Sequence, residues 1–424
     1  MIVDEIKAKE SNKRRFGNLY RRTKFNSTLA VFYERLAEDN EKVYYDSFGE
    51  HVEKYEPDRR YMNTAKNLRF CGRVVKVDHY RLQGIKDILE IRLCHNRFCD
   101  NCQSAMAYQR FLRFSPVLDE LARVYDLYHV IFTVPNPLKV DLKKCIDLIY
   151  NKFRHLIRIF TGDVKIKGFS FEPFGFFGGI RALEITTSDD GRSFHPHLHC
   201  IFALKKGLQL DENRKNVNTY SFSNEHIKRI HKKHKPGEPF DYFSDFEILL
   251  QKIWRLLIDG EKITLDNISR LPLGYSVKCR NANGAYKEVF KYATKGLFSQ
   301  PKENAVVDGD AFDMAVIAEL TEREQEKDFR ILEAALKGRK VVQGYGALYH
   351  LKLDGEIDQS ANGDEDYKKM VAELRNLETP EQFVEYFNDF KAVYEKAKGE
   401  NVVYTSRNSI STVFGEDKWA LEVE

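Results

Sequence analysis

The sequence contains no apolar run near the ~18 residues that a membrane-spanning helix needs, so no membrane partner is expected. Its opening, MIVDEIKAKESNKRRFGNLYRR, puts charges where a secretory leader needs an apolar core. Cysteine is sparse. Seven residues in 424, unevenly placed, exclude a disulfide scaffold for a chain of this size, and a reducing cytoplasm is the expected compartment. No internal repeat is present, which excludes a solenoid or a bladed array. What remains is ordinary for a globular chain. Hydrophobic residues make up 42% and charged residues 31%, and the length allows two or three domains with cores of their own.

The net charge of +4 conceals an imbalance. Residues 301–424 hold 16 Lys and Arg against 27 Asp and Glu, whereas residues 1–300 hold 52 against 37. A basic body favours a polyanionic partner. Between Lys7 and Lys24, eight basic residues and one acid interleave with Phe16, Leu19 and Tyr20. That pattern serves a basic arm on nucleic acid or a solvated helix equally well.

Along the chain, AMAYQRFLRFSPVLDELARVY (105–125) has helical apolar spacing, and YHVIFTV (128–134) is a β-rich run stopped by Pro135-Asn136-Pro137. Residues 141–160 repeat an amphipathic helical pattern. FGFFGGIRALEITT and SFHPHLHCIFAL are strand-like and are joined by the polar connection Ser188–Arg192, which predicts a hairpin. Residues 205–243 are polar, basic and loop-like. Helical patterns return at 244–258 and 284–298, and beyond Pro301 the chain is acidic and largely helical in pattern.

Three constellations carry chemistry. Cys71, Cys94, Cys99 and Cys102 have the spacing C-x22-C-x4-C-x2-C. A C-x2-C pair can reach one tetrahedral ion, and two further thiolates close a structural Zn2+ site, with His95 a possible substitute ligand. His195, His197 and His199 alternate, so in a strand all three imidazoles face one side, as a site for a divalent ion requires. Glu184, on the strand expected to pair through the hairpin, could add a carboxylate or be a surface acid. The third constellation is AYKEVFKYATKG (285–296). At about 100° per residue, Glu288, Tyr292 and Lys295 share one helix face, which sets a phenol between a carboxylate and an ammonium. A phenolate is a competent nucleophile towards phosphorus when a metal polarises the phosphate.

FTVPNP (132–137), HPHLH (195–199) and KYATK (291–295) together resemble, in their order, the three motifs of HUH-type rolling-circle replication initiators. CHNRFCDNCQ (94–103) is similar to the cysteine stretch of the Rep class 1 family of small Gram-positive plasmids, and ALKGRKVVQGYGALY (335–349) to its C-terminal part. Asp100 departs from that pattern, standing where the family usually has proline. The resemblance implies that His197 and His199 bind Mg2+ or Mn2+, with His195 a third ligand or a DNA-phosphate contact. It further implies that Tyr292 is the nicking nucleophile, that Glu288 activates water at termination and that Lys295 orients the scissile phosphate or the tyrosine.

The expected fold is α+β: a central antiparallel sheet of the HUH endonuclease type with the histidine strand in its middle, flanking helices, a cysteine zinc module and an acidic helical C-terminal region. The expected domains are a basic arm (1–60), the zinc-binding module and helix (61–125), the nicking domain (126–300) and the C-terminal region (301–424). The expected function is nicking of one strand at a plasmid origin, with origin DNA as partner and a host helicase and polymerase implied by the family. Basic residues such as Lys228, Arg229, Lys232 and Lys233 could track the DNA backbone. The alternatives are an HUH-type transposase or relaxase, or a zinc-containing DNA-binding regulator without catalysis.

Overall fold

In the computed structural model, residues 22–23, 25–39, 42–45, 51–188, 191–212, 215–216, 242–271, 274–282, 311–351 and 365–386 are described. The chain divides into two compact units. One comprises residues 1–106, 298–305 and 356–424, the other residues 107–297 and 306–355. The division falls inside helix α3 (Asp100–Val124).

The second unit is built on a five-stranded sheet of order β10-β5-β7-β6-β11, in which every neighbouring pair is antiparallel. Its strands are β5 (Tyr125–Thr133), β6 (Gly178–Thr187), β7 (Phe194–Lys205), β10 (Val277–Asn281) and β11 (Val342–Gly346). Outside this sheet lie the short pair β8 (Lys215–Asn216) and β9 (Tyr242–Phe243), the helix α6 (Leu265–Arg270) and, in the first unit, the pair β1 (Lys42–Tyr45) and β2 (His51–Glu56). The histidine strand β7 is central, as expected. Its alternate residues Leu198, Cys200, Phe202 and Leu204 are buried on one face, and Ile201 and Ala203 on the other, as a strand covered on both sides requires.

Helices α4 (Leu142–Phe160) and α5 (Asp245–Asp259) cover the first face. Apolar residues of α4 recur at helical spacing, with Ile146, Ile149, Phe153, Leu156 and Phe160 all buried. Phe132 of β5 meets Phe153 and Trp254 edge-on at 5.6 and 5.3 Å. Helix α5 starts at a capping box formed by Ser244 and Glu247. The other oxygen of Glu247 accepts the Cys279 N–H at 2.6 Å, and Trp254 donates to the Thr133 carbonyl at 2.7 Å. These bonds tie the helix to β10 and β5. On the opposite face, Phe114 and Leu118 of α3 join Leu127, Ile180, Ala182, Ile201, Ala203 and Val342 in one cluster.

The described part of the chain beyond Pro301 adds strands to the expected helices. It supplies α7 (Ala311–Leu336) and α8 (Glu365–Leu377), but also β11 at the edge of this sheet and β12 (Glu381–Tyr386) in the other unit. Strand β11 is held by Arg181, which is 1% exposed. Its guanidinium donates to the Tyr345 hydroxyl at 2.8 Å and to Gln343 at 3.1 Å, and lies 3.6 Å from the Tyr150 ring centroid. At Gly178 a Cβ would fall 2.8 Å from the Tyr345 carbonyl oxygen, so the strands close up only around glycine.

In the first unit, residues 25–38 form α1, and α2 (Arg59–Phe70) leads into the hairpin of β3 (Val74–Tyr80) and β4 (Ile85–Ile91), which β12 extends to three strands. Phe25, Leu29, Ala30, Phe32 and Tyr33 of α1 are buried. That part of the expected basic arm is thus a packed helix, because its apolar residues recur with the period of a helix face. Helix α8 meets the hairpin through Leu374, which clusters with Tyr80 and Ile85, and through Arg375, 3.4 Å from Asp78.

Arg181→Lys keeps the charge but loses the planar fork and the stacking on Tyr150. Left without donors, the buried Tyr345 and Gln343 oxygens should cost about 2 kcal/mol. Urea unfolding followed through Trp254 fluorescence reads this, and an unchanged midpoint would mean that the guanidinium does not hold β11.

Candidate metal centres

Antiparallel register sets Glu184 of β6 directly opposite His197 of β7, and Ala182 opposite His199. Residues facing each other across such a pair point to the same side, so the carboxylate and both imidazoles meet on one face. One carboxylate oxygen, Oε2 of Glu184, accepts from Nε2 of His197 at 2.6 Å and from Nε2 of His199 at 2.9 Å. A ligand atom from each of the three residues lies within 4.8 Å of the others. The group is buried but not sealed: the His199 and Glu184 side chains are 4% and 6% exposed, and His197 is 14% exposed. Nδ1 of His197 is buried and has no partner among the described residues. Two imidazole nitrogens and a carboxylate oxygen suit a divalent ion such as Mn2+.

Burial alone would raise the Glu184 pKa, but the hydrogen bonds and charges of His197 and His199 outweigh it and hold the carboxyl well below the usual range. His195 lies on the same face, its ring edge-on to His197 at 5.1 Å, but it is not among the converging ligand atoms.

The structure adds one residue that the sequence reading missed. Nε2 of His129, on β5, lies 3.1 Å from Nδ1 of His199. Burial, with help from His199 and Arg280, lowers its pKa to about 4, so His129 is neutral at pH 7 and can accept a hydrogen bond. An ion on Nε2 of His199 requires the proton to sit on Nδ1, facing His129, which would fix the tautomer and the ring orientation. Its sequence signal was faint: His129 alternates with Ile131 and Thr133 in a β-rich run, but nothing local links it to His199.

The four cysteines converge in the first unit. Cys71 Sγ lies 3.4 Å from Cys99 Sγ and 3.7 Å from Cys102 Sγ, and Cys94 Sγ is 3.5 Å from Cys102 Sγ. Tetrahedral zinc–thiolate bonds of about 2.3 Å imply sulfur separations of about 3.8 Å, close to these values. His95 contributes its backbone instead of its ring. At φ 57° its N–H donates to Cys102 Sγ at 3.1 Å, and the expectation that it might replace a ligand is corrected. Complete burial, then the neighbouring thiols, push the Cys71 thiol well above its usual range, so a cation would favour its thiolate. Asp100 opens α3 in its first turn, where a carboxylate suits the helix dipole and proline would also fit. Its departure from the family pattern therefore leaves the turn intact.

Tyr292, Glu288 and Lys295 lie outside the described residues, as do Lys228, Arg229, Lys232 and Lys233. Among the described residues no helix is long and apolar enough to cross a membrane.

The two centres should respond differently to treatment. Freshly purified protein is expected to carry stoichiometric zinc by elemental analysis, and Cys99→Ser should lose it together with thermal stability. Absence of zinc from the wild type would dismiss the four-thiolate site. His129→Phe should leave zinc in place but weaken Mn2+ binding by about tenfold or more in calorimetry. An unchanged Mn2+ affinity would mean that His129 has no part in holding His199.

Comparison with curated proteins finds similarity to "Protein rep" of Staphylococcus aureus, 27% identical over 121 residues, which are 28% of this chain and 48% of that protein. The matched stretch thus spans about half the length of this relative. No protein-family model matches the chain, and no solved structure matches it.

Proposed function

We propose that the chain is a plasmid replication initiator that nicks one DNA strand at an origin through a tyrosine and starts rolling-circle replication. The observation that carries this reading is the Glu184–His197–His199 group, brought together by the central strand β7 and its neighbour β6 in an antiparallel sheet. Two findings support it: the ordered FTVPNP, HPHLH and KYATK motifs, and partial similarity to a protein whose name is "Protein rep". That name favours an initiator over a transposase or relaxase of the same chemistry.

His197, His199 and Glu184 would hold a divalent ion, whose chemistry would be to polarise a phosphate oxygen. The phenolate oxygen of Tyr292 attacks phosphorus in line. A bond from that oxygen to phosphorus forms as the bond to the 3′ oxygen breaks, leaving a 5′-phosphotyrosine and, once the leaving oxygen takes a proton, a 3′-OH for a host polymerase behind a host helicase. Lys295 orients the phosphate or the tyrosine. At termination Glu288 takes a proton from water, whose oxygen attacks phosphorus at the regenerated origin in place of the tyrosine as the bond to the 3′ oxygen breaks and that oxygen takes a proton. The four cysteines hold Zn2+ in a structural role.

Tyr292→Phe should abolish nicking of an origin oligonucleotide while leaving its binding nearly intact. Covalent protein–DNA adducts persisting in this variant would refute the assignment and point to Tyr286. Glu288→Gln keeps the side chain's length but cannot take a proton, so initial nicking should stay near normal while released single-stranded circles are lost from a plasmid with two tandem origins. Equal loss of both products would make Glu288 a structural partner of the nearby lysines instead.

A further inference from the structure

The register of the sheet carries an inference about its substrate, resting on the nicking function proposed above. Three rows of side chains cross the face that bears the metal-binding group. Thr133, His197 and Glu184 form one row. Lys278, Ile131, His199 and Ala182 form the next, and Arg280, His129, Ile201 and Ile180 the third. Lys278 and Arg280 therefore stand on the same face as the histidines, two strands away, or about 10 Å.

Strand β10 is an edge strand whose two sides differ. Val277 and Cys279 are buried, whereas Lys278 and Arg280 are exposed. Neither cation has an ion pair or hydrogen bond among the described residues, although both are within reach of a ligand on this face. The other nearby cation of the sheet, Arg181, is on the opposite face and buried. Lys205 shares the face but lies six residues along β7 from His199, about 20 Å away. Among the described residues of the sheet, the exposed cations on this face beside the metal-binding group thus stand at the β10 edge. Exposed cations held by backbone register, with no carboxylate among the described residues to neutralise them, fit a polyanion.

We infer that Lys278 and Arg280 bind backbone phosphates flanking the scissile one, in a single DNA strand that enters over the β10 edge and crosses β5 to reach His197 and His199. A single strand fits better than a duplex because the metal-binding group is recessed. With His199 and Glu184 almost wholly buried, a phosphate reaches them only if its chain can bend down to the sheet, which a stiff double helix resists. Such contacts position the strand without reading its sequence.

The test uses the full-length protein with Mn2+ and a fluorescein-labelled oligothymidylate, which carries phosphates but no origin sequence. The Lys278→Ala/Arg280→Ala double variant should bind at least tenfold more weakly. The slope of log affinity against log salt should shrink by about 1.4, the value for two lost single-strand phosphate contacts. Lys143→Ala, an exposed lysine on α4 behind the sheet, should change neither. Circular dichroism and Mn2+ calorimetry should match the wild type, separating a lost DNA contact from a lost fold or metal site. Unchanged affinity and slope in the double variant would overturn the inference while leaving the nicking function standing, as would a loss confined to duplex DNA. A wild-type protein that binds no nucleic acid would remove both.

Discussion

The pairing of β6 with β7 is the interaction on which the rest of the site depends. Ten consecutive residue pairs join the strands, from Gly178 opposite Ala203 to Thr187 opposite Phe194. A slip of one residue would send Glu184 to the face that α4 and α5 cover and leave the histidines without a carboxylate. Several features hold the register. Ser188 and Ser193 close the hairpin through backbone and hydroxyl bonds. Leu183 and Ile185 are buried on one face, and Ile180 and Ala182 on the other, so a slipped strand would exchange both cores at once. The donor set is therefore a consequence of backbone pairing, and its side chains need little further ordering.

How much of this could be read in advance depended on whether the signal was local. The alternation in SFHPHLHCIFAL put three imidazoles on one face, and the short polar connection predicted Glu184 on the partner strand; both lie within one hairpin. The spacing of the four cysteines was likewise enough to predict their convergence. His129 was not legible, because its contact with His199 crosses 70 residues of chain and a lone histidine in a β-run carries no mark of it. Lys278 and Arg280 were missed for the same reason: only the pairing of β10 with β5 places them in the rows of the histidines. Strand β11 was hidden by composition. VQGYG is short, holds two glycines and sits within an acidic stretch of helical pattern, so its strand conformation comes from pairing with β6 and not from propensity.

Arg181 explains how such a weak strand is retained. A buried charge is costly unless its donors are satisfied, and here a phenol, an amide side chain and main-chain carbonyls take those donors in place of a carboxylate. Most of these acceptors belong to residues 340–345, so the guanidinium can stay buried only while that segment is docked. Because Arg181 lies three residues before Glu184 on the same strand, the requirement that keeps β11 in place also stiffens the strand that carries the carboxylate.

The two candidate centres differ in the properties that separate a structural ion from a working one. The cysteine group offers four soft sulfurs and no oxygen. Three of the four residues are buried, and an ion held there has all its positions filled by the protein, as a closed structural site requires. The histidine group mixes nitrogen with oxygen and offers three ligand atoms, which leaves a divalent ion short of a full shell. Its exposure is lowest at Glu184 and His199 and rises at His197, and His195 beside it is also only partly buried. Oxygen ligands from a substrate can therefore enter from that side while the carboxylate stays dry. A dry carboxylate keeps its attraction for the ion strong, and an incomplete shell leaves places that a phosphate oxygen can take. The same face would thus combine firm binding of an ion with access to it, a combination that the thiolate cluster lacks.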